Sequence, residues 1–191
     1  MNVLMLGNSF TFFNDSNLII SSVTGWHVDR VTRGGAYLYQ TLDEQDEMHD
    51  KFLAALNSRQ WDYVVLQEQS NAPATRPERF HSSVNKLCEI IRQKGAQPIL
   101  FATWSYRDGS EKLASVNMTY EEMDAALYTA YHKAADENDA LVADVGKAFT
   151  QVRNIIDLYN ADAYHPSPAG SMLIAHVIIN TIKEHEAGCT N

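Results

Sequence analysis

Residues 2–10 read Asn2-Val-Leu-Met-Leu-Gly-Asn-Ser-Phe10, an apolar run that passes directly into a small, turn-prone segment. The run Asn2–Leu6 is short and continuous, as expected for a parallel strand that is buried on both faces. A turn that follows such a strand lies in the crevice at the carboxyl ends of the strands, where α/β proteins bind their ligands. The stretch therefore predicts an α/β fold in which Ser9 faces that crevice.

Further strand and helix patterns alternate along the rest of the chain. Four more short apolar runs are typical of buried strands: His27–Thr32, Tyr63–Leu66, Pro98–Ala102 and Ala140–Ala143. Amphipathic stretches lie between them, one with Leu42, Phe52 and Leu56, and the next with Phe80, Val84, Leu87 and Ile91. Thr119 and Glu122 form a capping box, and Ser167-Pro168 is a typical helix start. The pattern predicts a three-layer α/β/α sandwich around a flavodoxin-like, five-stranded parallel sheet.

The composition is that of a globular protein. The chain has 191 residues, of which 45% are hydrophobic and 20% charged, so we expect one domain spanning residues 1–191. A formal net charge of −9 disfavours nucleic acid and anionic membranes as partners. No stretch approaches the roughly 20 apolar residues of a membrane span. The sequence does not indicate an oligomeric state.

The two cysteines do not predict a disulfide. Cys88 lies in an apolar helical stretch, whereas Cys189 lies in the carboxyl-terminal tail, so we expect both thiols to be reduced. The given chain has no signal-peptide pattern before its first predicted strand, so we expect a cytoplasmic protein unless a leader has been removed. The histidines show no metal-ligand spacing and no Cys-x-x-Cys or His-Glu-x-x-His motif is present, so we expect neither a metal nor a cofactor.

An acidic residue and a histidine lie three residues apart near the carboxyl end, in the segment Asp162–Pro166. On one short loop, Asp162 can bind one imidazole nitrogen of His165 and leave the other free to accept a proton from a hydroxyl. A serine hydroxyl needs such a base within hydrogen-bond reach to become a nucleophile. Because a parallel sheet brings its carboxyl-terminal loops together, Ser9 could meet this pair. The sequence therefore predicts a serine nucleophile with a His–Asp base.

Four segments, in this order, resemble the four sequence blocks of the SGNH (GDSL-like) hydrolases: Gly7-Asn8-Ser9, Gly34-Gly35, Gln67–Asn71 and Asp162–His165. The Gly-Asn-Ser-Phe-Thr start and the Leu-Gln-Glu-Gln-Ser segment look more narrowly like an uncharacterised SGNH branch known as a domain of unknown function. The resemblance spans the whole chain. It implies a serine hydrolase that acts on ester bonds.

The resemblance also implies a role for each block. Ser9 would be the nucleophile, His165 the general base and Asp162 its orienter. The oxyanion hole would use the backbone N–H groups of Ser9 and Gly35 together with a side-chain amide from the third block. Such donors are worth about 3 kcal/mol each when charge develops on the carbonyl oxygen.

The third block departs from the usual Gly-x-Asn-Asp pattern of the family. Three side chains could supply its amide: Gln67, Gln69 and Asn71. Matching the strand ends places Asn71 at the family's asparagine, whereas the likeness to the narrower branch favours Gln69 or Gln67. We expect one of the two glutamines to complete the hole.

The substrate implied is a small ester. A compact chain without a hydrophobic lid favours a short acyl group, such as acetyl, on a carbohydrate or another small polar molecule. An O-acyltransferase would form the same acyl-serine and pass the acyl group to an alcohol other than water, and the sequence does not separate the two. A family member that binds without turnover is a further alternative, because the third block is altered.

A flavodoxin-like binding module is the alternative from a different class. Its first loop, with Ser9, Thr11 and Asn14, would cradle a phosphate at a helix N-terminus. This interpretation gives no role to Asp162 and His165. Each block also has a structural interpretation, in which Ser9 and Asp162 cap turns and His165 lies at the surface. The functional interpretation gains weight because all four blocks occur together and in order.

Overall fold

The computed structural model describes residues 1–189, whose strands form one parallel sheet. The strands are β1 (Asn2–Gly7), β2 (His27–Thr32), β3 (Tyr63–Leu66), β4 (Gln97–Phe101) and β5 (Leu141–Ala143). Their order is β2-β1-β3-β4-β5, and every neighbouring pair is parallel. Strands β1, β3 and β4 are almost completely buried, as their continuous apolar sequences require. The predicted fold class and five-stranded sheet are confirmed.

Helices flank this sheet in a three-layer arrangement. They are α1 (Ser9–Phe12), α2 (Ser16–Thr24), α3 (Glu47–Asn57), α4 (Ala72–Thr75), α5 (Pro77–Gln93), α6 (Glu111–Ala114), α7 (Tyr120–Glu137), α8 (Val145–Val152) and α9 (Pro168–Cys189). Helix α2 packs against α9, and α5 packs against α7. The predicted capping box at Thr119 and Glu122 starts α7. Ser167 Oγ accepts the Gly170 N–H at 3.1 Å and so caps α9.

One predicted helix is divided in two. Leu42 ends a 3₁₀ turn, Leu38–Leu42, and does not belong to the helix of Phe52 and Leu56. The carboxylate of Asp46 accepts the N–H of Met48 at 2.9 Å and starts α3 there. The prediction of a single helix from Leu42 onward was wrong, because this cap restarts the helix after a turn.

Two further features concern the helices and the cysteines. No helix within residues 1–189 combines the length and the apolar character that a membrane crossing needs. Cys88 is buried in α5 and Cys189 is exposed at the end of α9, and both are free thiols.

Candidate active site

The carboxyl end of β1 turns sharply so that Ser9 begins α1. The side chain of Asn8 holds this turn, since its Oδ1 accepts the N–H of Phe10 at 3.2 Å and its Nδ2 donates to the carbonyl of Ala36 at 2.9 Å. A Cβ on Gly7 would lie 2.5 Å from Oε1 of Gln67, so only glycine fits at the strand end. The turn leaves Ser9 partly exposed at the carboxyl edge of the sheet.

The loop before α9 fixes the orientation of Asp162 and His165. Oδ1 of Asp162 accepts the N–H groups of His165 at 3.0 Å and Tyr164 at 3.2 Å. Ala163 takes up a left-handed conformation with φ of 67°, which folds the loop tightly. The N–H of Asn160 donates to the carbonyl of His165 at 2.8 Å and closes the loop. The spacing of three residues therefore allows one carboxylate to bind both the backbone and the ring of the histidine.

A continuous hydrogen-bond chain joins three side chains. Oδ2 of Asp162 lies 2.6 Å from Nδ1 of His165, and Nε2 of His165 lies 2.7 Å from Oγ of Ser9. With the proton on Nδ1, Nε2 is placed to accept the serine proton. Burial raises the pKa of Asp162, but its bonds to the His165 ring and to two backbone N–H groups outweigh burial and lower it below the usual value. The structure thus brings together the three residues that the sequence singled out.

Aromatic rings hold the imidazole in place. Phe13 stacks on His165 with 4.1 Å between ring centroids and 6° between planes. Phe10 meets His165 edge-on and stacks on Trp104 at 4.4 Å. Trp104 in turn donates from Nε1 to the carbonyl of Tyr164 at 3.0 Å. Because His165 is only 9% exposed, its ring has little freedom to leave this position.

A pocket of about 380 Å³ opens above Ser9. Its lining residues are Asn8, Ser9, Phe10, Phe12, Phe13, Gly34, Gly35, Gln69, Ser70, Lys112, Tyr164 and His165. Gly35 has φ of 67° in a turn that is closed by a 3.1 Å bond from the Ala36 N–H to the Arg33 carbonyl. In the described part of the chain, neither the Ser9 nor the Gly35 N–H donates to another backbone group. Both residues line the pocket, so their N–H groups are candidate donors to a bound molecule.

The two glutamines of the third block lie in different environments. Gln69 lines the pocket, and its Nε2 donates to Oγ of Ser70 at 3.1 Å. Gln67 is fully buried, and its Nε2 donates to Oδ1 of Asn8 at 3.0 Å and to the carbonyl of Glu68. The structure therefore does not bring Gln67 to the pocket, and the expectation that it could complete an oxyanion hole is corrected. Asn71 does not line the pocket either.

Some pocket residues were not found from the sequence. The polar loop after β4 contributes Lys112 through the single turn α6. Phe12 and Phe13 also line the pocket. The only signal for Phe12 and Phe13 was their position directly after Ser9. Within residues 1–189, no group of three or more His, Cys, Asp or Glu side chains is arranged to hold a metal ion.

Comparison with solved structures identifies the family. A candidate SGNH hydrolase from Slackia heliotrinireducens is 39% identical to this chain, with a TM-score of 0.90, and the match covers 95% of this chain and 98% of that chain. The chain belongs to the SGNH hydrolase family. It is accordingly an SGNH-type serine hydrolase, and the predicted family is confirmed.

More distant solved structures share the fold. A DUF4886 family protein from Bacteroides uniformis ATCC 8492 is 20% identical, with a TM-score of 0.75, over 95% of this chain and 82% of that chain. An acetylxylan esterase from Geobacillus stearothermophilus is 16% identical, with a TM-score of 0.70, over 95% and 93% of the two chains. No protein-family model and no curated protein sequence matches the SGNH hydrolase described here.

A buried carboxyl group contacts the backbone of Gln69, a pocket-lining residue of this SGNH hydrolase. Glu68 is 1% exposed, and its Oε1 accepts the N–H groups of Gln69 at 2.6 Å and Leu38 at 3.2 Å. Burial raises the pKa of Glu68 to about 7, although these two hydrogen bonds and the charge of Arg79 act in the opposite direction. Glu68 therefore gains or loses its proton near neutral pH. It directly precedes Gln69, which lines the pocket.

We expect Glu68→Gln to change the pH dependence of stability. Between the ordinary pKa of 4.5 and the folded value of about 7, the folded protein keeps a proton that the unfolded chain has lost. The free energy of unfolding of the wild type should therefore fall with rising pH in this window, relative to the variant, by up to about 3 kcal/mol. Urea unfolding of both proteins across this pH range measures the difference.

An exposed glutamate provides the control. Glu78 is exposed on α5, so Glu78→Gln removes one surface carboxylate without touching the buried one. The free energy of unfolding is plotted against pH for the wild type and for Glu68→Gln. If the two curves are parallel between pH 4.5 and about 7, Glu68 does not titrate as expected.

Proposed function

We propose that this SGNH hydrolase is an esterase that hydrolyses a short-chain, acetyl-like ester of a carbohydrate or another small polar molecule through an acyl-serine intermediate. The proposal rests chiefly on the hydrogen-bond chain from Asp162 through His165 to Ser9, with distances of 2.6 and 2.7 Å. Ser9 is the proposed nucleophile, His165 the general base and Asp162 its orienter. We also propose that residues 1–191 form one domain, which is supported by one continuous core cluster across the described residues.

The first half of the proposed reaction transfers the acyl group to the enzyme. His165 Nε2 takes the proton of Ser9 as Oγ bonds to the ester carbonyl carbon, and the carbonyl electrons move onto oxygen. The N–H groups of Ser9 and Gly35 and the amide of Gln69 are proposed to stabilise this oxyanion. The intermediate collapses by breaking the bond to the alkoxy oxygen, which receives the proton from His165. The alcohol leaves and an acyl-Ser9 remains.

Water completes the cycle. His165 removes a proton from water as the water oxygen attacks the acyl carbon, and the same donors stabilise the second oxyanion. Collapse breaks the bond to Oγ, and His165 returns the proton to Ser9. A pocket of about 380 Å³ with aromatic walls suits a short acyl group and a small polar alcohol. The acetylxylan esterase neighbour, named for acetylated xylan, is compatible with an acylated sugar as the substrate.

The phosphate-binding alternative has less support. Oγ1 of Thr11 donates to Oε1 of Gln67 at 2.9 Å and is completely buried. Nδ2 of Asn14 donates to the Pro166 carbonyl at 3.1 Å and to Oγ of Ser171 at 2.9 Å. Two of the three side chains that would cradle a phosphate are thus engaged within the protein.

Reaction with a small fluorophosphonate tests the proposal. We expect one covalent adduct, seen by intact-mass spectrometry and mapped to Ser9, because only an activated serine reacts quickly with such a reagent. Ser9→Ala should form no adduct. Ser22, which is exposed on α2, provides the control, since Ser22→Ala should react as the wild type does. A folded wild type that forms no adduct would overturn the proposed mechanism.

A further inference from the structure

The pocket above Ser9 has one basic Lys or Arg side chain among its lining residues, that of Lys112. The other lining residues are aromatic, glycine, hydroxyl, amide or imidazole groups, and none is Asp, Glu or Arg. In a protein with 24 acidic and 15 basic side chains, the pocket therefore has the opposite charge to the whole molecule. A substrate group that enters it meets a cation without a competing carboxylate in the wall.

The ammonium group of Lys112 is held by aromatic faces and not by an anion. Its Nζ lies 4.5 Å from the ring centroid of Tyr164 and 5.4 Å from that of Tyr106. In residues 1–189, no carboxylate forms a salt bridge with it, whereas Lys51 pairs with Glu47 at 2.8 Å. Ring faces attract a cation but accept no conventional hydrogen bond, so the three N–H donors of Lys112 remain available to an anion.

The backbone of Lys112 is fixed relative to the catalytic loop. Ser110 caps the single turn α6 by accepting the N–H of Leu113 at 3.1 Å, and Leu113 is buried. Arg107, at the start of the same loop, donates its N–H to the carbonyl of Ala163 at 2.9 Å. The loop that carries Lys112 is thereby joined to the loop of the candidate base. The fold therefore fixes the backbone from which the Lys112 side chain reaches the ring of Tyr164.

We propose that Lys112 binds a negatively charged group on the alcohol part of the substrate, so that the enzyme prefers anionic esters. The ammonium group of Lys112 lies over the ring of Tyr164, which directly precedes His165. His165 would protonate the leaving alcohol, so the cation lies on the side of the alcohol part. This inference rests on the proposed esterase function. It adds to that function a substrate class, small esters whose alcohol part carries a carboxylate or a similar anion.

A structural role for Lys112 makes a different prediction. If the ammonium group only clamps α6 onto Tyr164, its removal should slow neutral and anionic esters by the same factor. If it binds an anion, the loss should be specific to the anionic ester and should appear mainly in KM. The ratio of the two effects therefore separates the alternatives.

Two matched esters measure this ratio. Meta-acetoxybenzoate carries a carboxylate on the alcohol part, and meta-acetoxybenzamide is its neutral counterpart of nearly the same shape. We expect Lys112→Met to raise KM for the benzoate by about five- to tenfold more than for the benzamide, as for one partly exposed ion pair. Added salt should reduce this difference. Lys112→Arg should retain the preference of the wild type, and Lys112→Glu should reverse it.

A distant lysine controls for net charge. Lys183 is exposed on α9, roughly 20 Å along the helix from Pro168. Lys183→Met removes the same charge and should leave the ratio between the two esters at its wild-type value. An equal effect of Lys112→Met on both esters, or an equal effect of Lys183→Met, would overturn the inference while leaving the esterase function intact.

A binding measurement tests the inference without turnover. Calorimetric titration of Ser9→Ala with each ester should show tighter binding of the benzoate, and adding Lys112→Met should remove the difference. If the wild type hydrolyses neither ester and forms no fluorophosphonate adduct, the proposed function fails, and this titration still decides whether Lys112 selects anions. Equal binding of the two esters to Ser9→Ala would contradict the anion site.

Discussion

Ser9→Ala should lower kcat/KM for a reactive short-chain ester by about three orders of magnitude or more. The proposed reaction has no covalent intermediate without the Oγ atom, and His165 then has no hydroxyl to deprotonate. Residual hydrolysis would come only from binding and from the N–H donors of the pocket. Initial rates at several substrate concentrations, with the enzyme at high concentration for the variant, measure the loss.

The same substitution should leave the thermal midpoint almost unchanged. Ser9 is partly exposed, and within residues 1–189 its side chain forms one hydrogen bond, the 2.7 Å bond to His165, which the substitution removes. Water in the pocket can replace that bond, so no buried polar group is left without a partner. Ser22→Ala, at an exposed site on α2, should keep both rate and midpoint. A large loss of stability in Ser9→Ala would instead identify Ser9 as a structural cap.

The strands could be placed from the sequence because each is a short apolar run between turn residues. β3 has the predicted bounds, Tyr63–Leu66, and β4 begins one residue earlier than predicted. The helices α1, α4 and α6 could not be found in this way, because a helix of one turn shows no periodicity. The break before α3 had a readable signal in Asp46, a preferred capping residue, but its pairing with Arg33 at 2.7 Å depends on tertiary structure.

The candidate triad could be proposed from sequence because Asp162 and His165 lie on one loop. Their spacing of three residues determines how the carboxylate can meet the imidazole ring. The two glutamines could not be told apart in the same way. The side chain of Gln67 packs beneath the Ser9 turn because Gly7, at the end of the neighbouring strand, has no side chain to occupy that space. That relation joins residues 60 positions apart in the sequence, and it follows from the pairing of β1 with β3. Local residue type gives no information about it.

The buried amide of Gln67 forms a hydrogen-bond network beneath the Ser9 turn. Its Oε1 accepts the Asn8 N–H and the Thr11 hydroxyl, each at 2.9 Å. Its Nε2 donates to Asn8 Oδ1 at 3.0 Å and to the carbonyl of Glu68. Gln67→Met keeps most of the volume but removes one hydrogen bond from each of these four groups, although Asn8 Oδ1 still accepts the Phe10 N–H. Each buried polar group left unpaired costs about 1–3 kcal/mol, so we expect the free energy of unfolding to fall by about 3–5 kcal/mol.

The neighbouring glutamine offers a matched comparison with the opposite outcome. Gln69 is partly exposed at the pocket, so Gln69→Met should change the thermal midpoint little but lower kcat by about 10²-fold, as expected for the loss of an oxyanion donor. Gln67→Met should lower the midpoint by roughly 10 °C or more. Differential scanning calorimetry and kcat measured well below both midpoints separate the two effects. A stable Gln67→Met protein would show that Asn8 holds the turn without this network. Full kcat in Gln69→Met would mean that the Ser9 and Gly35 N–H groups suffice for the oxyanion.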